Sequence, residues 1–228
     1  MADPVYRPII ALVLGVFRAL GLRIRTVGLE HLPPSGGMVL AINHVSYLDF
    51  ALAGRAILPT GRLVRFMAKK EIFDVPVLGW LMRGMKHIRV DRSAGAGAYL
   101  EAVRALQSGE IVGVFPEATI SLAFEIKAFK TGAARMARDA DVPIVPMVIW
   151  GGQRVWTKFR RPQLRHRRVP VLVTIGAPIN ASGDPDQTTQ QLRSAMQAML
   201  EQVHRDYPDS PVGQWWGPAR LGGTAPPL

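Results

Sequence analysis

The sequence predicts an α/β fold: a single domain with a mostly parallel central sheet flanked by helices, preceded by an N-terminal membrane-associating helix. Three observations predict the sheet and its helices. Short β-like runs alternate with longer helix-like segments, as in repeated strand–helix crossovers. Runs such as Met38–Ile42 and Ile111–Phe115 lack polar residues, as strands buried on both faces do. The 228 residues show no internal repeat and no interior linker, and they suffice for one sizeable core.

The elements follow in order. Pro4–Leu22 reads as a helix whose unbroken apolar part, Ile9–Phe17, is bounded by Arg7 and Arg18. A bilayer span takes about 20 apolar residues, so this stretch is short for one. Leu22-Arg23-Ile24-Arg25 makes a poor cleavage site for a signal peptide. Residues 1–22 are read as a helix lying in or dipping into one leaflet, with a buried first helix of the domain as the other reading. Strands are expected at Arg23–Val27, Met38–Ile42, Leu63–Met67, Lys86–Val90, Ile111–Phe115, Ile144–Trp150 and Val169–Ile175. Helices are expected at Ser46–Ile57, Val77–Met85, Ala94–Gln107, Thr131–Asp139 and Gln187–His204. Ser108-Gly109 closes one of them, the glycine supplying a left-handed cap. Pro33-Pro34-Ser35-Gly36-Gly37 is a turn ahead of a buried strand. The domain is expected to occupy 23–206, with 207–228 as an irregular tail rich in proline and glycine.

Composition narrows the chemistry. The chain has no cysteine, which excludes disulfides, thiol catalysis and thiolate metal sites. The net charge of +11 points to an anionic partner. Between Val142 and Gly183 there is no acidic residue, while Arg154, Lys158, Arg160, Arg161, Arg165, Arg167 and Arg168 fall there. Trp150, Trp156 and Phe159 interleave with the start of that run. Such a surface suits anionic lipid head groups. Nucleic acid is disfavoured because no binding motif accompanies the charge, and a solvated basic loop is the plain alternative.

Four segments bear candidate chemistry. In Asn43-His44-Val45-Ser46-Tyr47-Leu48-Asp49, an imidazole and a carboxylate stand at a strand-to-helix turn. Positions five apart differ by about 140° around one helix, so the two side chains meet only if His44 precedes the helix and Asp49 lies on its first turns. Ser46 is the expected N-cap. Asp49 would then hold one ring nitrogen and leave the other as a base. Taken alone, the segment reads more simply as a cap beside an unrelated histidine. Phe115-Pro116-Glu117-Ala118-Thr119-Ile120-Ser121 presents a carboxylate and hydroxyls where open α/β sheets bind ligands; a polar turn is its plain reading. Lys130 stands ahead of a helix and Arg92 after a strand, and both suit a phosphate. No Gly-x-Ser-x-Gly elbow frames a nucleophilic serine.

In order along the chain, these blocks resemble the 1-acyl-glycerol-3-phosphate acyltransferase family. They are His44-x4-Asp49, Gly84 through Val90-Asp91-Arg92, Phe115 to Ser121, and Val142-Pro143-Ile144-Val145-Pro146. Lys69-Lys70-Glu71 and Val75-Pro76-Val77-Leu78-Gly79-Trp80 add to the likeness, which covers roughly Gly28 to Pro178. In that family the third block usually reads Phe-Pro-Glu-Gly-Thr-Arg-Ser; here Ala118 replaces the glycine and Ile120 the arginine.

The resemblance implies acyl transfer from acyl-CoA or acyl carrier protein, as co-substrate, to a hydroxyl of a lysophosphatidate-like glycerophospholipid in phospholipid biosynthesis. His44 and Asp49 would be catalytic; Glu117 and Thr119 would position the glycerol, and Arg92 and Lys130 the phosphate. No metal or other cofactor is called for, and an anionic membrane surface is the expected partner. Residence at the cytoplasmic face of the cell membrane, peripheral or monotopic, follows from the same reading. Ile120 leaves room for a different lipid acceptor: glycerol-3-phosphate, another lysophospholipid or a glycolipid. A serine hydrolase using Ser46 or Ser121, and a non-catalytic protein binding anionic lipid or nucleic acid, are the rival readings.

Overall fold

Alternation along the strands organises the molecule. In the computed structural model, which describes residues 6–91, 93, 95–164 and 168–228, β2 (Met38–Ile42) is buried along its whole length. Its odd and even residues serve opposite faces, as a strand's period of two requires. Met38, Leu40 and Ile42 pack with α1 (Tyr6–Ala19) and α2 (Asp49–Ile57). Val39 and Ala41 pack toward α5 (Ala96–Gln107), α6 (Gly132–Ala140) and α7 (Pro185–Asp206). Each fully buried side chain of this kind contributes about 1.5–3 kcal/mol over an exposed one.

The sheet has seven strands in the order β1-β7-β6-β2-β5-β3-β4. The others are β1 (Arg23–Val27), β3 (Val64–Lys69), β4 (Ile88–Val90), β5 (Ile111–Val114), β6 (Ile144–Trp150) and β7 (Pro170–Ile175). All pairings are parallel except β6 with β7. The exception has a local cause. Among the described residues no α-helix links β6 to β7, and a return without a crossover helix is antiparallel. β1 lies at one edge, and its alternating Arg-Ile-Arg-Thr-Val leaves charge where unpaired backbone would otherwise invite another strand.

The expected strands are all present, three of them with the expected ends. A four-residue helix, α3 (Lys70–Phe73), had no sequence signal of its own, and α4 (Pro76–Gly84) follows it with proline in its first turn. Gly109, at φ 82, closes α5 as expected. Helix α1 buries Phe17 beneath it and leaves Leu12 68% exposed, so it is amphipathic. No helix among the described residues is long and apolar enough to cross a membrane. Tyr207–Leu228 has only a short 3-10 turn at Ala219–Leu221, yet Tyr207, Trp216 and Ala225 are buried in the α5–α7 core. Irregular here does not mean loose.

Glycine matters at one point of the sheet for the site. A Cβ on Gly113 would lie 2.7 Å from the Phe66 ring, so the bare backbone of β5 lets that ring cross it. Phe66 in turn lies parallel to Phe115, with centroids 6.5 Å apart, at the end of β5.

Candidate active site

The site is built where β2 runs out. Asn43 extends the ladder with its side chain: Nδ2 donates to the Ile149 carbonyl at 3.0 Å, and Oδ1 accepts the Ile149 N–H at 2.7 Å. The backbone then leaves the sheet at His44, whose N–H donates to Glu117 Oε1 at 2.9 Å. The His44 carbonyl accepts the Ser121 N–H at 2.7 Å. Both peptide groups of His44 are thus fixed by the loop that follows β5.

The ring is fixed from the other side. His44 Nδ1 donates to Asp49 Oδ2 at 3.0 Å. The same oxygen accepts the N–H groups of Val45 and Ser46, each at 2.8 Å. Asp49 is the first residue of α2 and fully buried, so His44 precedes the helix that carries its partner, as the spacing required. The ring stacks on Phe115 with centroids 4.2 Å apart and keeps 21% of its surface open. With Nδ1 engaged by a carboxylate, Nε2 is the nitrogen left to take a proton. Burial pushes the Asp49 carboxyl upward, while the His44 ring and the two N–H groups pull against that shift.

Ser46 does not cap the helix; Leu48 occupies that position. The buried Ser46 hydroxyl donates instead to the Trp156 carbonyl at 2.7 Å and accepts the Leu48 N–H at 3.0 Å. The expected helix start at Ser46 therefore moves to Asp49, because residues 45–48 wrap around its carboxylate. A hydroxyl spent on a carbonyl, with no exposed surface, is a poor nucleophile, and Ser121 is buried as deeply. This tells against the hydrolase reading. Thr157 Oγ1 donates to the Val45 carbonyl at 2.7 Å, and the Tyr47 N–H reaches Trp156 O at 3.2 Å. Gly152 passes close beneath: a Cβ there would lie 3.1 Å from both Leu52 Cδ1 and Ser46 Cβ.

The remaining expected residues divide. Glu117 is 5% exposed, and its oxygens accept the N–H groups of His44 and of Lys127, the latter at 3.2 Å. Burial raises its carboxyl to about 7, against those two hydrogen bonds and the nearby charge of Lys127. Through both oxygens it braces the loop. Thr119 is exposed, and its carbonyl accepts from Lys127 Nζ at 2.8 Å. Lys130 is exposed, tied to the same loop by its N–H to the Pro116 carbonyl at 2.9 Å. Arg92 lies outside the described residues. Its neighbour Asp91 accepts from Lys70 Nζ at 2.7 Å. Ile120 is buried, and Ala118 has a φ of 60.

Sequence reasoning missed Asn43, Phe115, Trp156 and Thr157 as parts of this site. Asn43 had a signal, a polar residue directly after an apolar strand. Trp156 and Thr157 lie more than a hundred residues from the turn they hold, and nothing local announces them.

Known proteins resemble the chain in sequence and in fold. The profile of the acyltransferase family matches residues 23–150. A 1-acyl-sn-glycerol-3-phosphate acyltransferase of Limnanthes douglasii is 32% identical over 199 residues, 85% of this chain and 67% of that one. The enzyme of the same name from Bacillus subtilis (strain 168) is 28% identical over 180 residues, 78% of this chain and 85% of its own. One from Chlamydomonas reinhardtii is 31% identical over 71% of this chain, which spans about half (49%) of that relative's length. The crystal structure of the 1-acyl-sn-glycerophosphate acyltransferase from Thermotoga maritima superposes with a TM-score of 0.75 at 23% identity. That match covers 89% of this chain and 81% of the other, so the fold is shared.

Proposed function

The chain belongs to the acyltransferase family, and we propose that it moves a fatty acyl group from acyl-CoA or acyl carrier protein to a hydroxyl of a lysophosphatidate-like acceptor, with His44 as general base. The observation that carries this reading is the 3.0 Å contact from His44 Nδ1 to Asp49, which leaves Nε2 for the acceptor.

In the proposed reaction Nε2 takes the acceptor's hydroxyl proton as the oxygen attacks the thioester carbonyl. Asp49 holds the ring's orientation and offsets the imidazolium charge. Collapse of the tetrahedral intermediate expels the thiolate, which receives the proton from His44. Lys127 and Lys130 stand on the loop nearest this point and suit the acceptor's phosphate, with Arg92 as a third cation and Thr119 for the glycerol. Glu117 acts on the acceptor only through the loop that it braces. The reading needs no metal or other cofactor. An apolar groove between α1 and α2, lined by Ile10, Val13, Phe50, Gly54 and Phe66, suits the acyl chain. Phe66 and Phe115 stand between that groove and the His44 ring.

The partner surface in this reading is an anionic membrane, met from its cytoplasmic face. Leu12 and Val16 on α1 are exposed, as are Val77 and Trp80 on α4. Beside the His44 turn, Tyr47 packs on Trp156, and Phe159 and Leu164 stand out among Lys158, Arg160 and Arg161. Apolar rings among cations match head groups over acyl chains. In this layout residues 1–22 rest on one leaflet and 23–206 form the catalytic domain.

One observation favours a second reading of the acceptor. The position where the family usually has arginine holds the buried Ile120, and the second reading is therefore a lipid acceptor other than lysophosphatidate. Labelled acyl-CoA offered with a panel of acceptors decides both matters. Wild-type protein should transfer only when an acceptor is present, and His44→Ala should lose about 100-fold or more of the rate. Free fatty acid released without any acceptor, or an active His44→Ala protein, would sink the proposal.

A further inference from the structure

The family match ends at Trp150, yet the turn that holds His44 leans on residues beyond it. Two loops support that turn. The loop after β5 fixes His44 itself, through Glu117 and Ser121. The loop after β6 fixes the next three residues, through Trp156 O and Thr157 Oγ1. In the sheet, β2 lies between β5 and β6, so the ladder does not join the two loops to each other.

The C-terminal segment does. The Trp215 ring meets Phe124, from the first loop, edge-on at 6.4 Å. The guanidinium of Arg160, from the second loop, lies 4.2 Å from the same ring's centroid. Arg220 pairs with Glu125 of the first loop. Arg154 of the second loop donates to Tyr207 Oη at 3.0 Å, pairs with Asp209 and lies 4.4 Å over the Trp216 ring.

The segment is rigid enough to transmit a position. The Gly213 N–H donates to the Gly222 carbonyl at 2.8 Å, the Thr224 N–H to Gln214 O at 2.9 Å, and the Ala225 N–H to Gly217 O at 3.2 Å. A Cβ on Gly223 would fall 2.1 Å from Gly217 O, which shows how closely the knot is drawn. Trp216 is buried among the core residues of α7 and β6. The far end of the first loop has its own tether, Arg193 Nε to the Lys127 carbonyl at 3.0 Å, so losing the clasp would loosen that loop without releasing it.

We propose that residues 207–228 form a clasp that sets the two loops relative to each other, and that Trp215 and Arg220 are positioning residues for proton transfer at His44. The proposal rests on His44 being the base. Its reach is short: the Nδ1–Asp49 contact and the stack on Phe115 both depend on where the loops stand. An offset of about 1 Å in a reacting group costs about 100-fold in rate.

The test uses the full chain carrying Trp215→Ala with Arg220→Ala, beside the milder pair Trp215→Phe with Arg220→Lys. Steady-state rates are measured together with hydrogen–deuterium exchange of peptides covering 43–49, 115–127, β6 and β7. The expected result is a kcat lower by about 10- to 100-fold, with the KM for donor and acceptor changed by less than about twofold. Exchange should rise at 43–49 and 115–127 but not in β6 or β7, and the milder pair should recover most of kcat. Wild-type kcat in the double alanine variant overturns the proposal. So does a loss matched by faster exchange throughout the sheet, which is loss of fold, or a rise in KM alone. The exchange arm needs no turnover. If wild-type protein transfers no acyl group, the functional reading fails while the exchange pattern still decides whether the clasp holds the turn.

Discussion

The ends of β2 and β5 look alike and do different work. Each strand is buried along its length and runs into a turn with a buried carboxylate, Asp49 after β2 and Glu117 after β5. Each carboxylate accepts backbone N–H groups. The difference lies in the third donor at Asp49, the ring nitrogen of His44. Asp49 addresses the imidazole, whereas Glu117 addresses the peptide that bears it. A carboxylate at a strand's C-terminal edge is therefore not a substrate contact by position alone; its remaining partners decide.

The largest expected effect falls on the Asp49 side. Asp49→Asn keeps the shape and an acceptor oxygen for the turn but removes the charge opposite the imidazolium. It should lower kcat by about 100-fold or more, in the range of a lost acid–base contribution, with KM little changed. Glu117→Gln should cost far less, because no ring contact is lost. Steady-state kinetics on the two variants side by side check the contrast. Equal losses would erase the distinction drawn between the two turns.

Truncation turns the comparison toward stability. Glu117→Ala strands the His44 and Lys127 N–H groups, and each unsatisfied buried donor costs about 1–3 kcal/mol. Glu117→Gln retains one acceptor and should cost about half as much or less. Urea unfolding midpoints of the two variants measure this. If Glu117→Ala is as stable as wild type, the loop does not depend on its carboxylate.

Titration separates the carboxylates further. Burial raises Glu117 from an ordinary 4.5 to about 7. Between those values Glu117 keeps a proton in the folded chain that it has released in the unfolded one, so its contribution to stability falls as pH climbs from about 4.5 to about 7 and is level above. The full drop is on the order of 3 kcal/mol for this one group. Asp49 shifts in the same direction and adds to the slope. In Glu117→Gln this falling contribution should vanish, leaving that of Asp49 and the opposite one of the buried His87 and His204, whose rings are held down to about 4. Unfolding measured near pH 5 and near pH 7.5 tests this, and an unchanged slope in the variant would show that Glu117 is not its source.

Much of this was legible in the chain because apolar runs and helix geometry are local. Met38–Ile42 read as a buried strand, and His44 and Asp49 could meet if a turn preceded the helix, which is what stands there. The role of Ser46 was misread because a serine just ahead of an apolar helical run looks like a cap, whereas it stands three residues before the helix; its bond to Trp156, 110 residues on, has no local trace. The bracing contacts of Glu117 were missed for a related reason. Its position at the sheet edge is visible in sequence, but the two N–H groups that occupy it are set by tertiary packing. The tail was legible as irregular from its prolines and glycines, while the ring contacts of Trp215 and Trp216 that tie it down depend on loops far away in sequence.

The smallest predicted effect concerns a residue beside Glu117. Ala118 adopts a φ of 60, and its N–H closes the turn onto the Phe115 carbonyl at 2.9 Å. A residue with a Cβ in the left-handed region gives up about 1–2 kcal/mol relative to glycine. Glycine loses up to about 1 kcal/mol through the greater freedom of its unfolded chain. Ala118→Gly should therefore stabilise the fold by up to about 1 kcal/mol, a rise in Tm of about 2–4 °C for a domain of this size. The methyl group it removes is exposed, so no packing is lost. The β5 turn would tighten without any change at the ring of His44, and kcat should stay within about twofold of wild type. A fall in kcat out of proportion to stability would mean that the Ala118 methyl touches the acceptor. The end of β5 would then bear on the substrate as well as on the backbone of His44.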